Sequence, residues 1–173
     1  KNMSTVNGTK ESSAQEILEK VKTLAQEHKA AIYEDGENIF LIFVPVRTKT
    51  FKNEDTALKL TQKINEMLTQ HNKMFKQKLD YGISLTQGEI IAKQDPESLK
   101  FTGLGSFMAQ AKKIASIAEK DVLMGESITD KLRASVKTEK HEKSGLKVYS
   151  IKEIKDTEKH EKFLRGFMKR QEK

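Results

Sequence analysis

The sequence predicts an α/β (α+β) fold, a ferredoxin-like βαββαβ sandwich with strands in one layer and helices in the other. Apolar residues recur at a helical period in several segments and form short β-branched or alternating runs between them. The pair Asp35-Gly36 separates two such runs, which is a strong hairpin signal. A chain of 173 residues suffices for one domain with a hydrophobic core.

The first helix is predicted to open at Ser13, where Ser13-Ala14-Gln15-Glu16 forms a capping box. Its apolar stripe ends near His28 or Lys29. A missing or short strand precedes it, because residues 1–11 are polar and turn-rich and Val6 is the only strong strand former among them. The first strand of the domain is therefore expected to be truncated, and the chain, which begins with Lys1 rather than Met, is expected to lack its native start.

The hairpin is predicted to consist of a short strand at Ala30–Tyr33 and a longer strand at Ile39–Val46. The continuous apolar run IFLIFV in the longer strand is typical of a central strand covered on both faces. Residues 47–53 then read as a basic loop, and Asn53 is placed to cap a second long helix. His71 lies on the inner stripe of that helix and is interpreted as a partly buried core residue, since no second ligand stands at metal-binding spacing.

Residues 79–132 are predicted to alternate strands and helices. The expected order is a strand at Leu79–Thr86, a turn at residues 87–89, a short strand at Ile90–Lys93, a loop, a helix from near Ser106, a buried strand at Val122–Met124 and another helical turn. Residues 133–144 are only weakly patterned, and Leu146–Ile151 alternates like a final strand. We divide the chain into a domain at residues 1–151 and an amphipathic basic helix within residues 152–173.

Composition excludes several classes of site. The chain has no Cys, so disulfides, thiolate zinc sites and a cysteine nucleophile are excluded. No apolar run approaches the length of a membrane span, no signal peptide is in view, and we expect a cytoplasmic protein. The net charge is +7, but 32 basic residues are mixed with 25 acidic ones, which favours a solvated surface over a nucleic-acid interface.

Several stretches together resemble the class III nucleotidyl cyclase catalytic domain, over roughly residues 6–151. The hairpin Tyr33–Phe43 is similar to the family's K-x-x-G-D-x-x-x-A-V-F, and residues 81–91 are similar to I-G-I-x-x-G-E-V-V. Residues 101–105 (FTGLG) resemble Y-T-V-I-G-D, residues 121–128 (DVLMGESI) resemble E-I-L-V-S-E-E-T, and residues 145–151 resemble the closing strand. The resemblance implies a catalytic site between two such domains, and hence a homodimer or a pair with another cyclase-like domain.

The family's chemistry implies a demanding set of residues. Two carboxylates hold two divalent ions, Mg²⁺ or Mn²⁺, on the nucleotide triphosphate. By the resemblance, the first carboxylate position falls on Thr5, which cannot replace it, and the second on Glu37, or on Asp35 in another register. The base-selecting Lys falls on Tyr33, whereas the base-selecting Asp or Thr falls on Thr102, a match.

The remaining roles of the family fall on the second half of the chain. The Asn that orients the ribose corresponds to Ala109, which has no donor. The Arg that stabilises the transition state corresponds to Lys113, which keeps the charge and loses the planar fork. A phosphate-contacting Lys corresponds to Lys143. Thr102, Lys113 and Lys143 are thus the candidate nucleotide-binding residues, and Glu37 and Asp35 are vestigial metal ligands.

Our leading hypothesis is a catalytically inactive cyclase-like domain that serves as a regulatory or dimerisation module. One alternative is a nucleotide-binding sensor, with the Gly103–Gly105 loop holding an anion at a helix N-terminus. Another is nucleic-acid binding through Lys49–Lys52 and Lys162–Arg170, which the mixed charge makes less favoured. The apolar face of the terminal helix is short, so docking or pairing is preferred over contact with a membrane.

Overall fold

A computed structural model describes residues 13–94, 99–103 and 105–155. These residues form five helices: α1 (Ser13–Glu27), α2 (Pro45–Thr48), α3 (Glu54–Met74), α4 (Gly105–Ser116) and α5 (Glu126–Lys131). They also form eight strands: β1 (Ala31–Asp35), β2 (Asn38–Ile42), β3 (Ile83–Leu85), β4 (Ile91–Gln94), β5 (Leu99–Gly103), β6 (Val122–Met124), β7 (Val136–Lys143) and β8 (Leu146–Ile154). The predicted mixed α+β class is confirmed.

The described strands form three sheets. One has four strands in the order β3-β6-β8-β7, with β3 and β6 parallel and the other two pairs antiparallel. The hairpins β1-β2 and β4-β5 are separate antiparallel pairs. The edge strands β2 and β3 therefore belong to different sheets, and a cleft lies between them.

Helix α1 shows how local sequence sets the ends of an element. Its buried face is the predicted stripe, and the exposed pair Glu16 and Lys20, one turn apart, is bridged at 2.7 Å. The helix ends where Lys29 adopts a left-handed φ of 60° and the Ala30 N–H donates to the Ala25 carbonyl at 3.0 Å. This hydrogen bond is the one expected where a helix ends in a residue of left-handed conformation. Strand β1 begins at the next residue, Ala31.

The core consists of packed clusters in which helix α3 takes part twice. One face of α3 packs with α1 and β1, and another face, through Ala57 and Leu58, packs with β3, β6 and α5. A further cluster joins α4 to β6 and β8. His71 is 4% exposed, stacks on Phe75 and contacts the Gln77 carbonyl at 3.1 Å, so the core interpretation of this histidine is confirmed.

The structure corrects several of the predicted elements, and the strand predicted at Leu79–Thr86 is confined to Ile83–Leu85. The second strand of the first hairpin ends at Ile42 rather than Val46, because Pro45 stands at the start of helix α2, a position that proline favours. The predicted loop before α4 contains strand β5, and residues 133–144 contain strand β7. Apolar periodicity missed β7 because its side chains are mostly exposed.

Other expectations were tested only in part. Strand β2 is half-buried and pairs with β1, and no second partner strand for it lies within the described ranges. The terminal helix predicted from residue 156 lies outside the described residues. Of the helices that are described, none is long and apolar enough to span a bilayer.

Candidate functional site

A cleft of about 720 Å³ opens between the β1-β2 hairpin and strand β3. Its walls are apolar where α1 and α3 pack beneath it, for example at Val21, Leu60 and Ile64. Helix α4 closes one side with Met108 and Ala111. The cleft is also lined by polar and charged side chains, among them Glu37, Asn38, Glu54, Thr86, Gln87, Lys112 and Lys131. The cleft thus combines an apolar interior with a charged surround, which is common in ligand sites.

The two candidate metal carboxylates flank the turn of the first hairpin. Asp35 ends β1, Glu37 precedes β2, and Gly36 between them has a φ of 60° that favours glycine. The Asn38 side-chain amide donates to the Asp35 carbonyl at 3.2 Å and stabilises the turn. Both carboxylates are exposed, and Glu37 lines the cleft.

Lys112 of helix α4 neutralises the carboxylate of Asp35. The Lys112 ammonium donates to Asp35 Oδ2, and both side chains are partly exposed, at 37% and 47%. The same ammonium lies 5.9 Å from the centroid of the Phe40 ring, within cation–π range. A cation of the protein therefore stands beside the hairpin carboxylate, 77 residues away in sequence.

Phe40, the ring near Lys112, belongs to a series of aromatic contacts. The rings of Tyr33 and Phe40 lie 6.0 Å apart between centroids, and Phe101 of β5 meets Tyr33 edge-on at 6.4 Å. Tyr33 holds the position at which the cyclase resemblance places a base-selecting lysine. In this chain it connects the first hairpin to β5 through ring contacts, which stabilise such pairs by about 0.5–1.5 kcal/mol.

Ala109 and Lys113 share an exposed stripe of α4. They are four residues apart and both exposed, whereas Met108, Ala111 and Ile114 are buried. Neither lines the cleft of its own chain. The stripe faces outward, so any ligand contact from it would be made outside the described cleft.

The other two candidate nucleotide residues lie on different elements. Thr102 belongs to strand β5 in the β4-β5 hairpin. Lys143 ends β7, where it pairs with Leu146 across a turn formed by Ser144 and Gly145. Lys143 is exposed and is absent from the lining of the cleft. A common site for Thr102, Lys113 and Lys143 therefore stays a prediction.

The described residues do not fit a two-metal site. No group of three or more His, Asp or Glu side chains within the described ranges has the geometry to hold an ion. Asp35 is engaged by Lys112, and Thr5, the remaining position indicated by the resemblance, lies outside those ranges.

Glu54 and Lys131 form a second ion pair at the cleft, 3.1 Å apart. Glu54 opens helix α3, and the backbone N–H of Glu54 is the main cause that lowers the pKa of its carboxyl. Burial opposes this shift, and Lys131 and the Asn53 backbone add to it. A carboxyl whose pKa is lowered by folding stabilises the protein above its ordinary value of 4.5 and loses that contribution as the pH falls below it.

Replacing Glu54 by glutamine is therefore expected to cost about 0.5–1 kcal/mol at neutral pH. The difference from the wild type should shrink as the pH falls from 4.5 through the lowered pKa of Glu54. Urea unfolding at several pH values measures it. Glu66→Gln, an exposed change on the same helix, is the control and should alter stability little at any pH. An E54Q penalty that persists in acid would contradict this account.

Comparison with known proteins decides the fold. No protein-family model matches the chain, and no curated protein matches it in sequence. The guanylyl cyclase domain of the RhoGC fusion protein from Blastocladiella emersonii, described as a non-canonical dimer, matches with a TM-score of 0.65 and 14% identity over 83% of each chain. The guanylate cyclase domain of RhGC from Catenaria anguillulae, solved in complex with GTP, matches with a TM-score of 0.65 and 16% identity, over 86% of this chain and 87% of that one.

The adenylyl cyclase CyaB from P. aeruginosa matches with a TM-score of 0.58 and 10% identity, over 83% of this chain and 82% of that one. This chain has the fold of a nucleotidyl cyclase catalytic domain. The fold expected from the sequence resemblance is thereby confirmed.

One charged side chain at the cleft, Lys112, is absent from the residues that the sequence predicts for the site. The predicted site does not include it, because the family resemblance places the role of the arginine on its neighbour Lys113. The helical period indicates that Lys112 lies at the border of the packed face of α4, because it follows buried Ala111 by one residue. Its partner Asp35 was identified as a carboxylate of interest, but a pairing across 77 residues leaves no local pattern.

Proposed function

We propose that this cyclase-like domain is catalytically inactive and acts as a regulatory or dimerisation module, in the cytoplasm and in signalling. The observation that carries the proposal is the Asp35–Lys112 ion pair. A lysine ammonium at the hairpin carboxylate opposes the approach of a divalent cation by like-charge repulsion. Two-metal phosphoryl transfer needs carboxylates that are open to the ions.

The outward stripe of α4 supports the same proposal. Losing one donor that stabilises a transition state typically costs about 2.7–4 kcal/mol of barrier. Ala109 offers no donor where the resemblance implies an amide, and Lys113 replaces the forked contact of an arginine by a point charge. A chain with these residues retains the cyclase-like fold and lacks several side chains that cyclase catalysis needs.

The stripe also supports an interaction role. Ala109 and Lys113 face away from their own chain's cleft, so a partner chain is the surface they would meet. Ile91 in β4 is 70% exposed and Tyr33 is 37% exposed, which adds apolar area suited to a contact with a partner. A second copy or another cyclase-like domain is the partner we propose.

The purified chain, supplied with ATP or GTP and with Mg²⁺ or Mn²⁺, is expected to release no cyclic nucleotide. Mn²⁺ alone is expected to leave the melting temperature unchanged, because a ligand stabilises a fold only in proportion to its binding. The control is Lys112→Met, which frees Asp35 and removes the competing cation. Formation of a cyclic product by the wild type would overturn the proposal of inactivity.

The interaction role is tested on the same preparation by sedimentation velocity. A concentration-dependent dimer that is weakened by Ile91→Glu is the expected result. A chain that stays monomeric at all concentrations would contradict self-association and leave another cyclase-like domain as the partner to test. Melting temperatures raised by nucleotide alone, without turnover, would favour the nucleotide-sensor hypothesis instead.

A further inference from the structure

A short basic loop before helix α3 presents an exposed aromatic side chain. Within this basic loop, which we define as the four-residue helix α2 together with residues 49–53, Phe51 is 87% exposed, the most exposed of the large apolar side chains in the described residues. Val46, in the same loop, is 39% exposed. Exposing a phenylalanine to this extent forgoes most of the stabilisation of about 1.5–3 kcal/mol that its burial would give. Phe51 contributes to the lining of the cleft and still leaves most of its side chain in solvent.

Internal hydrogen bonds hold the loop in this conformation. The Thr48 hydroxyl donates to the carbonyls of Val44 and Thr50, at 3.1 Å and 3.3 Å. The Lys52 backbone N–H donates to the Thr50 hydroxyl at 3.1 Å, and the Asn53 side-chain amide donates to the Thr50 carbonyl, also at 3.1 Å. Thr50 thus fixes the backbone on both sides of Phe51. The loop is an ordered support for the exposed ring.

The exposed ring is surrounded by positive charge. Arg47, Lys49 and Lys52 are exposed, and no acidic residue occurs from Asn38 to Asn53. None of the ion pairs found in the described parts of the chain involves these three cations. The acidic residues that follow are engaged elsewhere, Glu54 by Lys131 and Asp55 by the Ser135 hydroxyl at 2.8 Å.

We infer that the basic loop docks on an anionic phospholipid surface, with Phe51 and Val46 entering the interfacial layer and Arg47, Lys49 and Lys52 contacting the headgroups. An aromatic ring beside basic side chains matches the layered chemistry of a membrane interface, apolar within and anionic outside. A nucleic acid would match the cations and Phe51 but not the aliphatic Val46, which has no face on which a base can stack. Charge complementarity accounts for an anionic partner, and the exposed aliphatic Val46 beside Phe51 favours the bilayer over a nucleic acid.

The inferred contact is weak and reversible. Each basic residue near an anionic bilayer strengthens binding about fivefold, and the loop provides three with one aromatic anchor. One such loop gives transient attachment, and two loops on one particle would bind more tightly by avidity. The inference is independent of the proposed inactivity, since an active enzyme could carry the same loop.

The chain contains no Trp, so Phe51→Trp provides a single fluorescent reporter at the contact. On titration with vesicles of phosphatidylcholine and phosphatidylserine, its emission should shift to the blue, and brominated lipid should quench it. Phosphatidylcholine vesicles alone should give little shift. Met74→Trp is the matched control, because Met74 is 68% exposed and lies at the far end of α3, about 30 Å away, and its emission should not move.

Two further variants separate the contributions of the loop in vesicle co-sedimentation with the whole chain. Arg47→Gln with Lys52→Gln should weaken binding about 25-fold, which is two steps of about fivefold. Phe51→Ala should weaken it about tenfold through the lost apolar anchor. An unshifted F51W spectrum in saturating anionic vesicles would overturn the inference, as would vesicle binding that ignores these substitutions. Binding to a DNA duplex but not to vesicles, lost in the same variants, would assign the loop to nucleic acid instead.

Discussion

Replacing Gly82 by alanine is expected to destabilise the protein by about 3 kcal/mol, the upper end of the range for overpacked sites. Gly82 precedes β3 and lies against helix α4. A Cβ atom there would stand 2.0 Å from the Ala115 carbonyl oxygen and 3.2 Å from the Ala118 side chain. The nearest atom belongs to the backbone, so the clash can be relieved only by moving α4 away from the sheet. Urea unfolding of the two proteins measures the difference.

Gly105→Ala is the matched control for the Gly82 variant. Gly105 is the first residue of α4, and a Cβ atom there would meet nothing within 4 Å. Because alanine restricts the unfolded chain more than glycine does, this change is expected to stabilise the protein by about 0.4–1 kcal/mol. If both glycine variants had the same stability, the close packing of α4 against residue 82 would be refuted.

Truncating Leu58 to alanine is expected to cost about 2–5 kcal/mol. Leu58 is 1% exposed and belongs to the cluster that joins α3 to β3, β6 and α5. Its removal leaves a cavity between Met124 and Leu132, which are themselves fully buried. Thermal or denaturant unfolding would measure the loss directly.

The control for Leu58→Ala is Leu58→Met, which conserves volume and is expected to cost less than about 1.5 kcal/mol. A large loss for the methionine variant would point to strict shape complementarity at this site rather than to cavity formation. A small loss for the alanine variant would mean that α3 can settle onto the sheet, which would contradict a rigid α3 contact.

Elements with a strong local signal were predicted well. Strand β6 was predicted at Val122–Met124 and is found there. A run of three apolar residues is too short for a buried helix and is typical of a buried strand. Helix α1 was predicted from a capping box and an apolar stripe and begins at Ser13. Both have a clear local sequence pattern, although the Ser13 hydroxyl donates to the Gln77 side chain at 3.3 Å and β6 pairs with β3 and β8.

Elements stabilised by distant partners were predicted less well. Strand β7 has few apolar residues, and its conformation depends on pairing with β8 across the tight turn at Ser144-Gly145, where both residues have positive φ. The apolar run that continues to Val46 predicts a longer β2, whereas the strand ends at Ile42 because Pro45 begins helix α2. The boundaries and register of a strand depend on its tertiary contacts, and a local sequence pattern contains no information about those contacts.

The candidate site likewise contains some residues with a local sequence pattern and others that depend on distant contacts. The sequence indicated the carboxylates at the hairpin turn, since Asp35 and Glu37 flank a glycine in a recognisable motif. It did not indicate Lys112, or the ring contact between Tyr33 and Phe101, because these join elements far apart in the chain. Side chains in a local motif can be recognised from the sequence, whereas contacts between distant elements emerge only when the fold brings them together.

Strand β7 has one more consequence, which concerns solubility. Among the described strands it is an edge of the four-stranded sheet, and an edge exposes backbone groups that another chain can pair with. Its sequence VKTEKHEK lines that edge with alternating lysine and glutamate, and most of these side chains are exposed. Such charges disfavour strand addition and the growth of fibrils from this side. The weak apolar pattern that hid β7 from sequence analysis thus also protects the domain from aggregating at this edge.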